Sequence, residues 1–142
     1  MATWDDVAKI ASALPGVTEE ASGQGGGRAW KVNKRGFVWE RPLRKNDLAA
    51  LGKAAPKGPI LGVRTADLEM KEALLASDAD VFFTTPHFDG YPAVLVRLAK
   101  IRVSDLRDVI LDAWVVRAPT RVATAYLRDR TATRDRSRPR RP

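Results

Sequence analysis

The stretch Phe82-Phe83-Thr84-Thr85-Pro86-His87-Phe88-Asp89-Gly90-Tyr91-Pro92 runs directly into the apolar segment Ala93-Val94-Leu95-Val96. It contains the only histidine of the chain, one of its two tyrosines and two of its prolines. The unbroken apolar segment predicts a central strand that is buried on both faces. Pro86 fixes its own backbone φ angle, and Asp89-Gly90 favours a tight turn. The stretch is therefore either a demanding structural corner or the rim of a functional site.

The composition bounds the class of protein. A chain of 142 residues fits one domain. It has no cysteine, which excludes disulfides, thiolate metal sites and cysteine catalysis, and its single histidine leaves little for a zinc site. No apolar run reaches the ~18 residues needed to span a membrane. Asp5 and Asp6 lie where a signal peptide would be basic. We expect a cytoplasmic protein that has no cofactor, no metal and no membrane contact.

The positive charge is uneven along the chain. The formal net charge is +8, but residues 128–142 alone hold seven arginines and two aspartates. The preceding 127 residues hold 18 basic and 15 acidic side chains, so the body of the domain is only mildly basic. The composition of residues 128–142 predicts a disordered, Arg-rich tail. This tail either strengthens nucleic-acid binding through counterion release or only solubilises the chain.

Hydrophobic periodicity predicts the elements of residues 1–127. Helical spacing marks four segments, which are Thr3–Leu14, Lys45–Lys53, Ala66–Ala76 and a last helix that Ser104 caps. Pro119 breaks or kinks this last helix, and residues 121–127 could add a final turn or two. Short apolar runs predict strands at Ile60–Arg64 and Ala93–Leu98, and alternation predicts a hairpin from Arg28 to Arg41. This order of elements predicts an α+β fold with a mainly antiparallel sheet.

The hairpin is predicted to carry aromatic and basic side chains on one face. Pairing of Val32 with Phe37, with Gly36 in a left-handed turn, would align six side chains: Arg28, Trp30, Val32, Phe37, Trp39 and Arg41. Exposed to solvent, this face would form a platform on which unpaired bases stack. The alternative is that it packs beneath helices, as large apolar surfaces of monomers usually do.

Two sets of side chains are candidate binding residues. The first is basic, with Lys34 and Arg35 at the hairpin tip, and could contact a phosphate backbone: Arg28, Lys31, Lys34, Arg35 and Arg41. The second borders the corner before the last strand and could hold a small molecule or a protein: Thr85, His87, Asp89 and Tyr91. The alternative interpretations are a solvated charged turn for the first set and a structural corner, anchored by His87, for the second.

Catalysis is the weakest interpretation of His87. Its imidazole could act as a general acid or base, with Asp89 to orient it. The hydroxyl groups nearby in sequence belong to Thr84 and Thr85, and threonine nucleophiles need special activation such as a free N-terminal amine. The run Gly23–Gly27 lacks the Gly-Lys-Ser/Thr ending of a phosphate-binding loop. We therefore expect a protein that is not an enzyme.

Three segments together resemble the MmcQ/YjbR family over residues 3–127. They are Trp4-Asp5-Asp6-Val7 running to Ala13-Leu14-Pro15-Gly16-Val17, the stretch from Phe82 to Val96, and Asp112-Ala113-Trp114 with Ala118-Pro119. The resemblance implies a frataxin-like (CyaY-like) domain in which helices cover one side of an antiparallel sheet. This arrangement has been described as double-wing, and family members are commonly labelled DNA-binding. The resemblance brings no catalytic residues, and it does not cover the Arg-rich tail.

The sequence thus predicts a small, monomeric binding domain at residues 1–127, followed by a tail at 128–142. DNA, bound weakly and nonspecifically, is the expected partner. The alternative is a small-molecule or protein-binding module that uses the rim around His87.

Overall fold

The fold is an α+β arrangement of six strands and five α-helices in the residues that the computed structural model describes, which are 2–21, 27–55 and 58–137. In chain order the elements are α1 (Trp4–Ser12), β1 (Thr18–Ala21), β2 (Arg28–Val32), β3 (Arg35–Glu40), α2 (Lys45–Leu51), β4 (Ile60–Arg64), α3 (Leu68–Ser77), β5 (Phe82–Phe83), β6 (Ala93–Arg97), α4 (Val103–Arg117) and α5 (Thr120–Ser137). Most of the predicted glycine loop lies outside the described residues. None of the described helices is long and apolar enough to cross a membrane.

All strands join one antiparallel sheet in the order β1-β2-β3-β4-β6-β5. Strand β6 lies between β4 and β5, and every side chain from Ala93 to Val96 is at most 1% exposed. The prediction of a central strand that is buried on both faces is therefore confirmed. The mainly antiparallel sheet that the order of elements predicted is confirmed as well.

The main core lies between the sheet and the helices α1 and α4. Its largest fully buried side chains include Trp30 of β2 and Trp114 of α4, and the Trp114 indole N–H donates to the Pro15 carbonyl at 3.1 Å. A smaller apolar cluster includes Ile60, Phe83 and Leu95, with Leu51 of α2 packed against it. Because side chains alternate along β6, this smaller cluster lies on the opposite face of the sheet.

The start of α1 follows the prediction from its sequence. The Asp6 backbone N–H donates to the Thr3 hydroxyl at 3.3 Å, and the Thr3 N–H donates to the Asp6 carboxylate at 2.9 Å. Two donors that the first helical turn would leave unpaired are thus satisfied reciprocally. Thr3 is therefore the cap of the helix that the spacing predicts.

The predicted register of the hairpin is wrong. Its turn is the two-residue pair Asn33-Lys34, with φ angles of 52° and 64°, which suits the tight left-handed turns that match strand twist. Gly36 belongs to β3 instead, and a β-bulge leaves Phe37 without a direct partner between the pairs Lys31–Gly36 and Trp30–Val38. Such a bulge turns consecutive side chains to new faces. The six predicted side chains therefore do not share one face.

The last helix differs from the predicted disorder of residues 128–142. Helix α5 begins at Thr120 and continues to Ser137, ten residues past Leu127, while residues 138–142 lie outside the described residues. The segment 128–137 contains neither glycine nor proline, and arginine is a good helix former. Extending a helix that has already begun needs no new nucleation, which is the costly step.

Candidate nucleic-acid interface and the pocket at His87

The hairpin tip presents two exposed cations. The left-handed turn at Asn33-Lys34 projects beyond the sheet, and Lys34 and Arg35 are both exposed. Neither side chain forms an ion pair in the part of the chain that the structure describes. Both residues lie at the tip, as the sequence predicts, and both are accessible to a polyanion.

Two other predicted DNA-binding residues are paired with acids of the edge strand. The Arg28 guanidinium lies 2.8 Å from the Glu19 carboxylate, and the Lys31 ammonium lies 2.9 Å from that of Glu20. Both are diagonal pairs across the β1–β2 ladder, which long side chains can span. The hydrogen bond from Arg28 lowers the pKa of Glu19. These neighbouring carboxylates would repel a phosphate.

Arg41, the fifth predicted residue, is buried rather than displayed to solvent. Its side chain is 6% exposed, donates to the Pro42 carbonyl and to the Asp47 carboxylate (3.0 Å), and lies 5.3 Å over the Phe88 ring. Asp47 also accepts the Arg44 backbone N–H at 2.9 Å. Arg41 therefore connects the sheet to the start of α2. It is not a surface residue available to DNA.

The topology brings two arginines that the sequence did not single out to the same end of the sheet. Arg64 is the last residue of β4, which runs antiparallel to β3 and so ends beside the hairpin tip. Arg117 is the last residue of α4, which runs back along the sheet after β6. The charges of Arg64 and Arg35 both act on Arg117. We call Lys34, Arg35, Arg64 and Arg117 the basic end.

His87 borders a pocket, as the ligand-rim hypothesis requires. It lies in the 3₁₀ turn Pro86–Phe88, is exposed, and contacts the Phe88 ring edge-on at 5.0 Å between centroids. The pocket has a volume of about 280 Å³, and its walls come from this turn and from the start of α2: Arg41, Arg44, Asn46, Asp47, Pro86 and His87. A larger hollow of about 340 Å³ lies between α1, α4 and α5 and contains none of the predicted site residues.

The other members of the predicted rim do not line that pocket. Thr85 is 1% exposed and lies beside Asp47, whose pKa it helps to lower, although its own hydroxyl lies outside hydrogen-bonding geometry. Asp89 acts on Lys71, whose pKa its charge raises against the larger lowering effect of burial. Tyr91 lies under the Arg64 guanidinium, 5.1 Å from the ring centroid. These three residues therefore face three different neighbours.

Lys71, not His87, anchors the corner before β6. Its buried ammonium group donates to the Phe88 carbonyl at 2.6 Å and to the Tyr91 carbonyl at 2.9 Å. Burial lowers the pKa of Lys71, and the carbonyl oxygens satisfy the donors that burial removes from water. Nothing in the sequence signals this role, because Lys71 lies within a helix next to acidic residues.

The described residues 2–21, 27–55 and 58–137 contain no group of three His, Cys, Asp or Glu side chains placed to hold a metal ion. Chemically, the arrangement offers guanidinium and ammonium donors at the basic end and a polar pocket beside His87.

Comparison with known proteins identifies the family. The YjbR family matches residues 12–116, which is well over half of the chain. The chain belongs to the YjbR family. An uncharacterized protein of Mycobacterium tuberculosis (strain H37Rv) is 51% identical to this YjbR chain over 130 residues, covering 89% of this chain and 97% of the relative. An uncharacterized protein of Mycobacterium bovis matches to the same extent. The resemblance read from the sequence is thereby confirmed.

A solved structure supports the YjbR fold. The crystal structure of Deinococcus radiodurans protein DR2400, which has a DUF419 domain, superposes with a TM-score of 0.61. The two chains share 17% sequence identity, and the match covers 82% of this chain and 78% of the other. At this identity the likeness shows the α+β fold and says nothing about ligands.

Proposed function

We propose that this YjbR-family chain is a monomeric, cytoplasmic, non-enzymatic domain that binds the phosphate backbone of nucleic acid through its basic end. The observation that carries the proposal is the contrast among the hairpin cations. Lys34 and Arg35 are exposed at the tip and have no acidic partner among the described residues, whereas Arg28 and Lys31 are each paired with a glutamate. The hairpin then acts as a wing, in keeping with the double-wing description that the family resemblance implies.

The chemistry of the basic end favours weak binding without sequence preference. Phosphate contacts position a protein on a duplex but carry no direct sequence information. Each neutralised phosphate contributes about −0.9 to the slope of log affinity against log salt for duplex DNA. Four cations would therefore give a slope of roughly −3 to −4, which corresponds to an interaction that is strongly salt-sensitive.

Replacing Lys34 and Arg35 together with alanine is expected to weaken duplex binding at all DNA sequences alike. The salt slope should become shallower by about two units, one for each phosphate contact removed. The measurement is fluorescence anisotropy of a labelled duplex, titrated with the full chain at several salt concentrations.

The matched control replaces Lys100 and Arg102 with alanine. Both are exposed, and they lie after β6 and before α4, at the opposite end of the sheet from the hairpin tip. This control removes the same charge from the chain, so an equal loss of affinity and slope in both double variants would contradict the assignment to the basic end. Absence of duplex binding by the unaltered full chain at low salt would contradict the function itself.

A second candidate function is small-molecule binding in the pocket at His87. The specific observation that favours it is that an exposed imidazole and the exposed Arg44 border a concave pocket of about 280 Å³. Small-molecule sites are concave, with a few polar groups that fix the orientation of the ligand. Arg44 and His87 would favour a small polar or anionic compound.

The pocket hypothesis predicts a ligand whose binding depends on both side chains. In a ligand-observed NMR screen of small carboxylates and phosphate esters, hits should lose their signal change with His87→Ala and with Arg44→Ala, because each variant removes a polar wall. Lys100→Ala serves as the control, since Lys100 is exposed and does not line this pocket. Compounds that still bind to both His87→Ala and Arg44→Ala would bind outside this pocket.

A further inference from the structure

Three guanidinium groups converge at the end of the sheet where β3 begins and β4 and α4 end. Arg35 starts β3, Arg64 ends β4 and Arg117 ends α4. The positive charges of Arg64 and Arg35 help to lower the pKa of Arg117, after burial, which is the largest cause. Arg35 and Arg64 thus both lie within the electrostatic reach of Arg117, although like charges placed together destabilise the folded chain.

No carboxylate neutralises this cluster in the part of the chain that the structure describes. The ion pairs within those residues involve Arg28, Lys31 and Arg41, and none involves the three converging arginines. Asp112 borders the same small recess as Arg64 but does not pair with it. Burial and the neighbouring charge of Asp108 raise the pKa of Asp112.

Two guanidinium donors of the cluster are left without acceptors. The Nε atoms of Arg64 and Arg117 are buried and make no hydrogen bond with any described residue. Buried polar groups of proteins nearly always have a partner, and leaving a charged donor unpaired is costly. The carboxyl end of a helix attracts a nearby cation, which explains why an arginine lies at the end of α4. It does not explain why three arginines lie together or why two of their donors have no acceptor.

Tyr91 lies beside the arginine cluster. Its ring lies 5.1 Å from the Arg64 Cζ atom, and the side chain is 42% exposed. It also acts on Arg117, raising the pKa that burial lowers. A guanidinium group stacked on an aromatic ring keeps its edge available for a further ligand, because stacking uses only its face.

We propose that Arg35, Arg64, Arg117 and Tyr91 form a binding site for a single phosphate group. Guanidinium forks match phosphate and carboxylate oxygens in geometry, but three positive charges suit a phosphate monoester, which has three terminal oxygens and a charge of about −1.5 to −2 at pH 7. The phosphate group comes either from a small phosphate ester or from a nucleic-acid end. This site goes beyond the proposed backbone binding and does not require it.

The test is a titration of the ¹⁵N-labelled full chain with inorganic phosphate, with sodium chloride at matched ionic strength as the reference. We expect the Nε–H signals of Arg64 and Arg117 to shift in a saturable manner with phosphate and not with chloride. Arg117→Gln and Arg35→Gln should each lower the phosphate affinity by about tenfold or more, as losing a hydrogen bond to a charged group does. Arg102→Gln, at the other end of α4, should leave the affinity unchanged.

Stability of the variants gives a readout that does not depend on the ligand. Because the three charges repel one another, Arg117→Gln is expected to leave the melting temperature unchanged or raised when phosphate is absent. Phosphate should raise the melting temperature of the unaltered chain. It should not raise the melting temperature of Arg117→Gln. If Arg117→Gln does not fold, the melting temperature with and without phosphate is compared in Arg35→Gln instead, since Arg35 is exposed.

The two phosphate sources are separated by oligonucleotides that bear a 5′-phosphate or a 5′-hydroxyl. Tighter binding of the phosphorylated oligonucleotide, lost in Arg117→Gln, supports a nucleic-acid end as the source. Phosphate binding without oligonucleotide binding supports the site and sinks the proposed nucleic-acid function. Equal shifts with chloride and phosphate, or a phosphate affinity that Arg35→Gln and Arg117→Gln leave unchanged, would overturn the site even if duplex DNA binds.

Discussion

Replacing Asp47 with alanine is expected to destabilise the fold by about 3–5 kcal/mol, because it leaves a buried positive charge without its partner. Asp47 is 3% exposed and accepts hydrogen bonds from Arg41 at 3.0 Å and from the Arg44 backbone N–H at 2.9 Å. Arg41 is itself 6% exposed and packs against the Phe88 ring, so water cannot replace the lost carboxylate without opening this region.

Urea denaturation of Asp47→Ala and of the double variant Arg41→Met with Asp47→Ala measures this effect. The double variant removes the charge along with its partner, and such replacements are often close to neutral. We therefore expect the double variant to be more stable than the single one. A loss below about 1 kcal/mol in Asp47→Ala would mean that the pair is solvated rather than buried.

The same pair predicts the direction of the pH dependence. Burial raises the pKa of Asp47, but the Arg44 N–H, the Arg41 charge and Thr85 outweigh it, so the pKa lies below its ordinary value. The carboxylate therefore stabilises the fold above the ordinary aspartate pKa of about 3.9, and this stabilisation is lost as the pH falls through the lower, folded value. Near neutral pH the carboxylate is ionised in both the folded and the unfolded chain, so this group should make no contribution to a change of stability with pH there.

Gly62→Ala is expected to destabilise the fold. Overpacking typically lowers the free energy of unfolding by about 1–3 kcal/mol, and we expect a loss at or above the upper end of this range. A Cβ atom on Gly62 would lie 2.6 Å from the Trp39 Nε1 atom and 2.7 Å from Cζ2, and it would contact Cε2 more closely still. Gly62 lies in β4, between β3 and β6, so the backbone cannot move away from the indole ring without disturbing both neighbouring ladders.

Gly36→Ala is the matched control, since a Cβ atom there meets nothing within 4 Å and Gly36 also lies in the sheet. Thermal denaturation should show a large loss for Gly62→Ala and a small one for Gly36→Ala. In a Trp39→Ala background, Gly62→Ala should cost much less, because the ring that it meets is gone. A loss at Gly62 that persists in this background would contradict the steric explanation.

The sequence predicts the elements and the sheet well where local chemistry decides them. The helical spacing that begins at Thr3 and the apolar run Ala93–Val96 both identify their elements correctly. The register of the hairpin was not predictable, since the bulge at Phe37 satisfies packing on the main core rather than any local pattern. A one-residue error then placed Trp30 and Trp39 on one face, although they pack in different clusters.

The candidate site was predictable only in part. Lys34 and Arg35 could be placed at the tip because the turn lies between two clear strands. Arg28 and Lys31 form ion pairs with glutamates of β1 because β1 pairs with β2, and this strand pairing cannot be read from the sequence. Arg64 and Arg117 are 53 positions apart in the sequence and meet because β4 and α4 end at the same end of the sheet. A residue at the end of a strand or helix carries no sequence signal that shows which other element ends beside it.

The most direct measurement of the central claim is a map of the DNA contact surface by amide chemical shifts. The ¹⁵N-labelled full chain is titrated with a short duplex at low salt. We predict that the largest shifts occur at residues 33–36 and next to Arg64 and Arg117, and that they fade together as salt is added. Largest shifts at Arg28–Lys31 or around His87, or no shifts at all, would contradict the claim that the basic end binds nucleic acid.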